Sequence, residues 1–267
     1  MVIAILLVLF AVSLHAQNSF LGFDRNDYPG DASLATLRQT FSYAGYWLNN
    51  PPDTPTNSWA GHRAAVDAAG FGFLVLFNGR LYADLKTVAR ATRLGQSDSL
   101  AAVESARREG FPPATIIFLD QEQGGRMLPA QQAYIYAWVD GVVAAGFRAG
   151  IYCSGMPATD DDNIVTAEDI RAHAGSREIA YWVTEDACPP SPGCAFPAHV
   201  PRPSESGVGF AEVWQFAQTP RRKEAGNRCT GYHADRSCYP PGLPVAAHLY
   251  VDVNSATSAD PSHGRTR

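Results

Sequence analysis

Eight short apolar runs, each five to seven residues long and spread from residue 20 to residue 253, constrain this chain more than any other feature. They are Phe20–Asp24, Ser42–Trp47, Gly72–Asn78, Thr115–Asp120, Ala149–Cys153, Ile179–Val183, Ala211–Phe216 and His248–Val253. Continuous apolar stretches of this length are expected of strands covered on both faces, as in a parallel sheet. Helical patterns lie between many of them. Ser58 to Ala69 puts Trp59, Ala65, Val66 and Ala69 on one helical repeat and stops at Gly70. Ser97 to Glu109 gathers Leu100, Val103 and Ala106 and stops at Gly110. Pro129 to Ala145 opens on proline and ends before Gly146, and Thr166 to Ala174 opens with a threonine three residues ahead of Asp169. Strand and helix in alternation, with eight strands, predict an α/β fold: a (β/α)8 TIM-type barrel in a single domain. A chain of 267 residues could also hold two smaller domains, but no repeat or linker marks a second one. Residues 188–209 and 219–244 are loop-like and read as insertions without a full helix.

The polar residues fall where such a barrel does its chemistry, at the C-terminal ends of the strands. The first run ends in Asp24, the fourth continues as Asp120-Gln121-Glu122, and the eighth carries Asp252-Val253-Asn254. Asp120 and Glu122 are two residues apart, so both leave the same face of an extended segment. Ring closure makes the first and eighth strands neighbours, which predicts that Asp24, Asp120, Glu122 and Asp252 converge on one mouth. Crowded carboxylates repel, so at least one should hold a proton near neutral pH, as an acid working beside an ionised partner requires. Each acid alone could instead cap a helix or turn. Their coincidence at three strand ends favours function.

Aromatic and amide side chains follow the same pattern. Trp47, Tyr152, Trp182, Trp214 and Phe216 lie at or near strand ends, with Gln215 and Asn254 beside them. Sugar rings stack their C–H faces on such rings while amides and acids bind the hydroxyls. For Phe77 and Phe216 packing in the barrel is the preferred reading; for Trp182 and Trp214 stacking and packing are equally open.

Other classes are excluded or demoted by the same residues. The net charge is −5, and the nearest candidate for a basic patch, Arg221-Arg222-Lys223, is followed at once by Glu224, so no nucleic-acid partner is expected. The seven histidines are scattered and no His-Glu-x-x-His string occurs, so neither a metal nor a cofactor is expected. Gly70-Phe-Gly72 precedes a strand instead of linking strand to helix, unlike a dinucleotide loop. Ser154-Gly155 lacks the rest of a nucleophile elbow. Asp160-Asp161-Asp162-Asn163 lacks the glycine and distal glutamate of an EF-hand loop and reads as a solvated turn.

Val2 to Leu14 is almost unbroken apolar sequence, and as a helix it reaches only roughly 20 Å against a hydrocarbon core of about 30 Å. A secretory signal peptide over residues 1–16, followed by one domain over 17–267, fits better than a membrane span. A buried N-terminus is the alternative. Export agrees with the cysteines: Cys188 and Cys194 flank one loop, Cys229 and Cys238 another, which suggests two loop-local disulfides in a secreted, periplasmic or envelope protein. Zinc is the rival for four cysteines, but the gaps of five and eight residues exceed its usual spacing. Cys153 reads as a buried free thiol.

The chain resembles the lysozymes of glycoside hydrolase family 25 at Phe23-Asp24, Asp120-Gln121-Glu122, Trp214-Gln215 and Asp252-Val253-Asn254. At Gly22-Phe23-Asp24, Gly45-Tyr46-Trp47 and Leu76-Phe77-Asn78-Gly79-Arg80 it is similar to the bacterial glycoside-hydrolase-like family known as domain of unknown function 1906. The resemblance follows strand order over nearly the whole chain beyond residue 16. It implies a barrel that acts on, or binds, a cell-wall-type glycan such as peptidoglycan. By that likeness Glu122 is the general acid, Asp120 orients or charge-stabilises, and Asp24 and Asp252 complete the cleft. The alternatives are a catalytically inactive glycan-binding barrel and a scaffold protein of the envelope. The two cysteine-flanked loops depart from the plainer lysozyme framework. Oligomeric state is not legible.

Overall fold

A computed structural model describes residues 19–185, 199–218, 249 and 251–266. The described residues hold ten strands: β1 (Phe20–Asp24), β2 (Tyr43–Trp47), β3 (Gly72–Asn78), β4 (Ile116–Asp120), β5 (Arg148–Ser154), β6 (Pro157–Ala158), β7 (Ile164–Val165), β8 (Ile179–Thr184), β9 (Val213–Ala217) and β10 (Asp252–Ala256). Eight of them close a barrel in the order β1-β10-β9-β8-β5-β4-β3-β2, and β6 with β7 forms a separate small hairpin.

The barrel is mixed, which corrects the expected (β/α)8 TIM-type fold. Strands β1 to β5, β8 and β9 pair in parallel, but β10 runs antiparallel to both β1 and β9. A parallel strand needs a crossover that carries the chain back to the other end of the sheet, usually a helix. Here β9 ends at Ala217 and β10 begins at Asp252 on the same end, so the last strand re-enters in the opposite sense. The eighth apolar run therefore forms its strand later than expected, over Asp252–Ala256. Among the described residues helices are also fewer than one per strand. Between β8 and β9 the described residues hold only a 3-10 turn, Pro203–Ser206. The expected disulfide-closed insertions at Cys188–Cys194 and Cys229–Cys238, and the expected leader over 1–16, lie outside the described residues.

The first part of the chain does alternate. The helices are α1 (Asp31–Arg38), α2 (Arg63–Ala68), α3 (Tyr82–Leu85), α4 (Val88–Glu109), α5 (Pro129–Ala144) and α6 (Thr166–His173). Thr87 caps α4 by accepting from the Arg90 amide, and Gly110 ends it in the left-handed conformation at φ 80°. The long α4 starts nine residues ahead of the Ser97 expected from sequence, and it packs against α5, where Gly95 and Gly141 allow close contact. Phe77, read as packing, meets Trp138 of α5 at 6.3 Å between ring centres.

Beyond β10 the chain seals the end of the barrel opposite Asp252. Ser262 exchanges backbone bonds with Phe73 and Ile116 and accepts from the Val75 amide through its hydroxyl, while Asp260 accepts from the Phe73 amide. With that end closed, the barrel opens to solvent at the C-terminal ends of the parallel strands.

Candidate active site

The open end carries a cavity of about 360 Å3 lined by acids, aromatic rings and amides. Asp24, Asp120, Glu122 and Asp252 all line it. Asp24 and Asp120 are the last residues of β1 and β4, and Glu122 lies just beyond β4. Asp252 arrives differently from the sequence expectation, as the first residue of an antiparallel strand, paired in register with Asp24.

Two glycines let the backbone set these acids in place. A Cβ on Gly45 would stand 2.6 Å from Asp24 Cβ, and one on Gly79 would stand 2.5 Å from the Asp120 carbonyl oxygen. Gly79 also donates its amide to that carbonyl at 3.1 Å, tying the end of β3 to the end of β4. The glycines of the Gly-Tyr-Trp and Asn-Gly-Arg stretches thus support the acids from behind. Arg80 does not enter the cavity; it forms a bidentate pair with Asp98 of α4 at 2.7 and 2.8 Å.

A buried hydrogen-bond chain holds Asp24. Its Oδ1 accepts from Asn254 Nδ2 at 2.7 Å and from Gln215 Nε2 at 3.0 Å. Tyr152 donates its hydroxyl to Gln215 Oε1 at 2.8 Å, and Trp182 Nε1 donates to Asn254 Oδ1 at 2.9 Å. Both amides are thereby oriented by an aromatic donor. Asp120 is different: it is 4% exposed, and its Oδ1 is buried without a hydrogen-bond partner.

Burial pushes the Asp120 carboxyl well above the usual carboxylate range, and the charges of Glu122 and Asp24 add to the shift. Glu122 is exposed over much of its surface, yet it stands between the cavity walls, and the surrounding protein raises its carboxyl too. Asp252 and then Asp53 raise it further by repulsion. The site therefore holds an inner and an outer acid whose carboxyls are both raised, in unlike surroundings.

Of the aromatic candidates, Trp47, Tyr152 and Trp182 line the cavity, as does Gln215. Asn254 lies fully buried behind Asp24 rather than on the cavity surface. Trp214 is not brought to the cavity. Alternation along β9 points Gln215 inward and Trp214 outward, where its ring donates to the Glu185 carbonyl at 2.8 Å and packs on Phe216. Asn26, Pro52, Asp53 and Gln218 also line the cavity and were missed from sequence. Asp53 sits in a loop without apolar periodicity, and its one local signal is the Pro51-Pro52-Asp53 turn composition. Its φ of 56° lies in the left-handed region, uncommon for an aspartate. Among the described residues no group of His, Cys, Asp and Glu could hold a metal ion, and Asp161 and Asp162 instead pair with Arg126. Cys153 is buried and free, its thiol pushed up by burial. No described helix is long and apolar enough to cross a membrane.

The fold is shared with solved structures at low identity. An uncharacterized B. stearothermophilus protein aligns over 89% of this chain and 95% of its own, with a TM-score of 0.56 and 19% identity. A Streptococcus pneumoniae virulence factor described as a glycosyl hydrolase 25 aligns over 88% of this chain and 86% of its own, with a TM-score of 0.53 and 11% identity. The modular autolysin LytC of Streptococcus pneumoniae, solved in complex with a synthetic peptidoglycan ligand, covers 89% of this chain and 46% of its own, with a TM-score of 0.52 and 13% identity. No curated protein matches the sequence. The family model of the Rv2525c-like, glycoside hydrolase-like domain matches residues 41–190, from just before β2 to just beyond β8, including Asp120 and Glu122. With more than half of its 267 residues matched, the chain belongs to the Rv2525c-like glycoside hydrolase-like domain family.

Proposed function

We propose that this chain is a glycoside hydrolase that cleaves a cell-wall-type, β-linked, N-acetylated polysaccharide such as peptidoglycan. The observation that carries the reading is the single cavity shared by Asp24, Asp120, Glu122 and Asp252. Glu122, reachable from solvent and with its carboxyl raised, is the general acid that protonates the glycosidic oxygen as the bond breaks toward an oxocarbenium-like state. Asp120, its carboxyl raised by burial, lines the cleft beside Glu122 and orients or charge-stabilises the reacting groups. Asp24, fixed by two amides, supplies charge beneath the reacting sugar. Asp252 completes the acidic wall, and Trp47 and Trp182, both largely buried, line the cleft as apolar surface against the sugar. The peptidoglycan ligand of LytC and the glycosyl hydrolase 25 of the same fold support this substrate class.

In this reading residues 1–16 are a leader removed on export, residues 17–267 are one catalytic domain, and the protein works outside the cell or in its envelope. The mass of the mature protein checks the leader. Reducing-end release from purified peptidoglycan checks the activity. The wild type should release product and Glu122→Gln should release far less; equal release by both would remove Glu122 from the mechanism.

A further inference from the structure

Beside the acidic cleft lies a larger cavity, about 670 Å3, formed by the loops that follow β3, β4 and β5. These loops leave the same end of the barrel as the acids. Glu122 lines the cleft and the next residue, Gln123, lines this second cavity. On β5, Tyr152 faces the cleft and Ser154, two residues on, faces the second cavity. The two spaces are therefore neighbours, separated by little more than one residue of the loop after β4.

The lining of the second cavity differs in kind from that of the cleft. Tyr82, Leu128 and Met156 all line it, three of the seven large apolar side chains left exposed among the described residues. Such clustering marks a contact surface, where scattered exposure would not. Leu128 and Met156 offer alkyl and thioether surface, which suits aliphatic side chains better than the polar rim of a sugar. Gly124 contributes exposed backbone without a side chain to the lining, so a ligand's main chain can approach there, while Gly125 behind it is buried and accepts from the Thr166 hydroxyl. The rim carries both signs of charge. Arg126 is half-exposed and only loosely paired with Asp161 and Asp162, at 3.7 and 3.8 Å, and Asp160 stands nearby on the lining.

We propose that this cavity is a second binding site, which takes a short peptide branch carried by the glycan whose backbone lies in the acidic cleft. The proposal rests on the glycan-cleaving function above and specifies its substrate as a peptide-bearing polysaccharide. Apolar side chains of the branch pack on Leu128 and Met156, its main chain runs past Gly124, and its carboxylate and amino groups meet Arg126 and the aspartates.

The test is a calorimetric titration of the Glu122→Gln protein with two soluble ligands: a peptide-bearing disaccharide of the cell wall, and the same disaccharide with its peptide removed. The peptide-bearing ligand should bind about tenfold tighter, the gain expected from roughly 60 Å2 of apolar contact. The double variant Leu128→Ser/Met156→Ser changes only exposed side chains and should abolish the difference while leaving affinity for the bare disaccharide unchanged. Equal binding of both ligands, or a difference that survives the double variant, overturns the peptide site and leaves the cleft's function standing. Binding of neither ligand overturns both.

Discussion

Asp24, the last residue of β1, stands directly opposite Asp252, the first residue of β10, in an antiparallel ladder. Like charges facing each other across a ladder destabilise the pair. The sheet tolerates the arrangement with amides: Asn254 and Gln215 both donate to Asp24 Oδ1, and each is turned into place by an aromatic donor. Two acids far apart in the chain thus meet because the final strand runs backwards.

Asn254→Ala should destabilise the protein by about 1–3 kcal/mol, the usual cost of leaving buried polar groups unpaired. It removes one donor to Asp24 and strands the Trp182 ring nitrogen. Urea denaturation near neutral pH measures the loss, and peptidoglycan turnover should fall with it. An unchanged midpoint would show that water replaces the lost bonds.

Asp120→Asn should raise stability at neutral pH. An acid whose carboxyl is raised in the folded state keeps its proton there after the unfolded chain has released it, near about pH 3.9. The folded state then binds more protons, so stability falls as pH rises through that window and on until the native carboxyl ionises. A neutral amide of the same shape escapes this loss. Thermal melts should show Asp120→Asn above the wild type at neutral pH, with the gap closing below pH ~4.

Asp53→Asn should move the alkaline limb of the activity profile to lower pH. Glu122 acts as a proton donor only while protonated, so activity is present below its pKa and lost as pH rises through it. Asp252, Asp53, Asp120 and Tyr152 are the titratable groups that interact with it, and Asp53 adds repulsion that favours the proton. Asparagine accepts the left-handed backbone at this position, so the turn should survive. A pH profile of kcat/KM that keeps its alkaline limb in place would show that Asp53 does not act on Glu122.

Gly79→Ala should cost about 1–3 kcal/mol, because its methyl would press on the backbone that carries Asp120. Activity should drop by more than the stability loss explains, since Asp120 moves with the strand end. Denaturation and turnover measured on the same preparation separate the two effects.

The sequence made the strand-end acids legible because Asp24 and Asp120 terminate apolar runs, and such a run ends where a parallel strand reaches solvent. Asp252 was found at the right mouth by the wrong route. Apolar periodicity carries no sign of strand direction, so Val251 and Asp252 read as a strand end although Asp252 begins β10. For Trp214 the choice between stacking and packing stayed open through a similar limit: a run that is apolar on both faces hides which alternate residues point inward, and only the closed barrel turns Gln215 in and Trp214 out. Asp53 was missed because its loop is shaped by asparagines. Asn26 donates to the Pro52 carbonyl, Asn50 to Pro55 and Asn78 to Asn50, contacts set by tertiary structure.

Glu122 as proton donor is most directly tested by comparing two substrates in the Glu122→Gln variant: the natural glycan, and an aryl glycoside whose phenolate leaves without protonation. The account predicts a fall of about 10²–10⁴-fold in kcat on the glycan and a far smaller loss on the activated glycoside. An equal fall on both substrates, or no fall on the glycan, would contradict it.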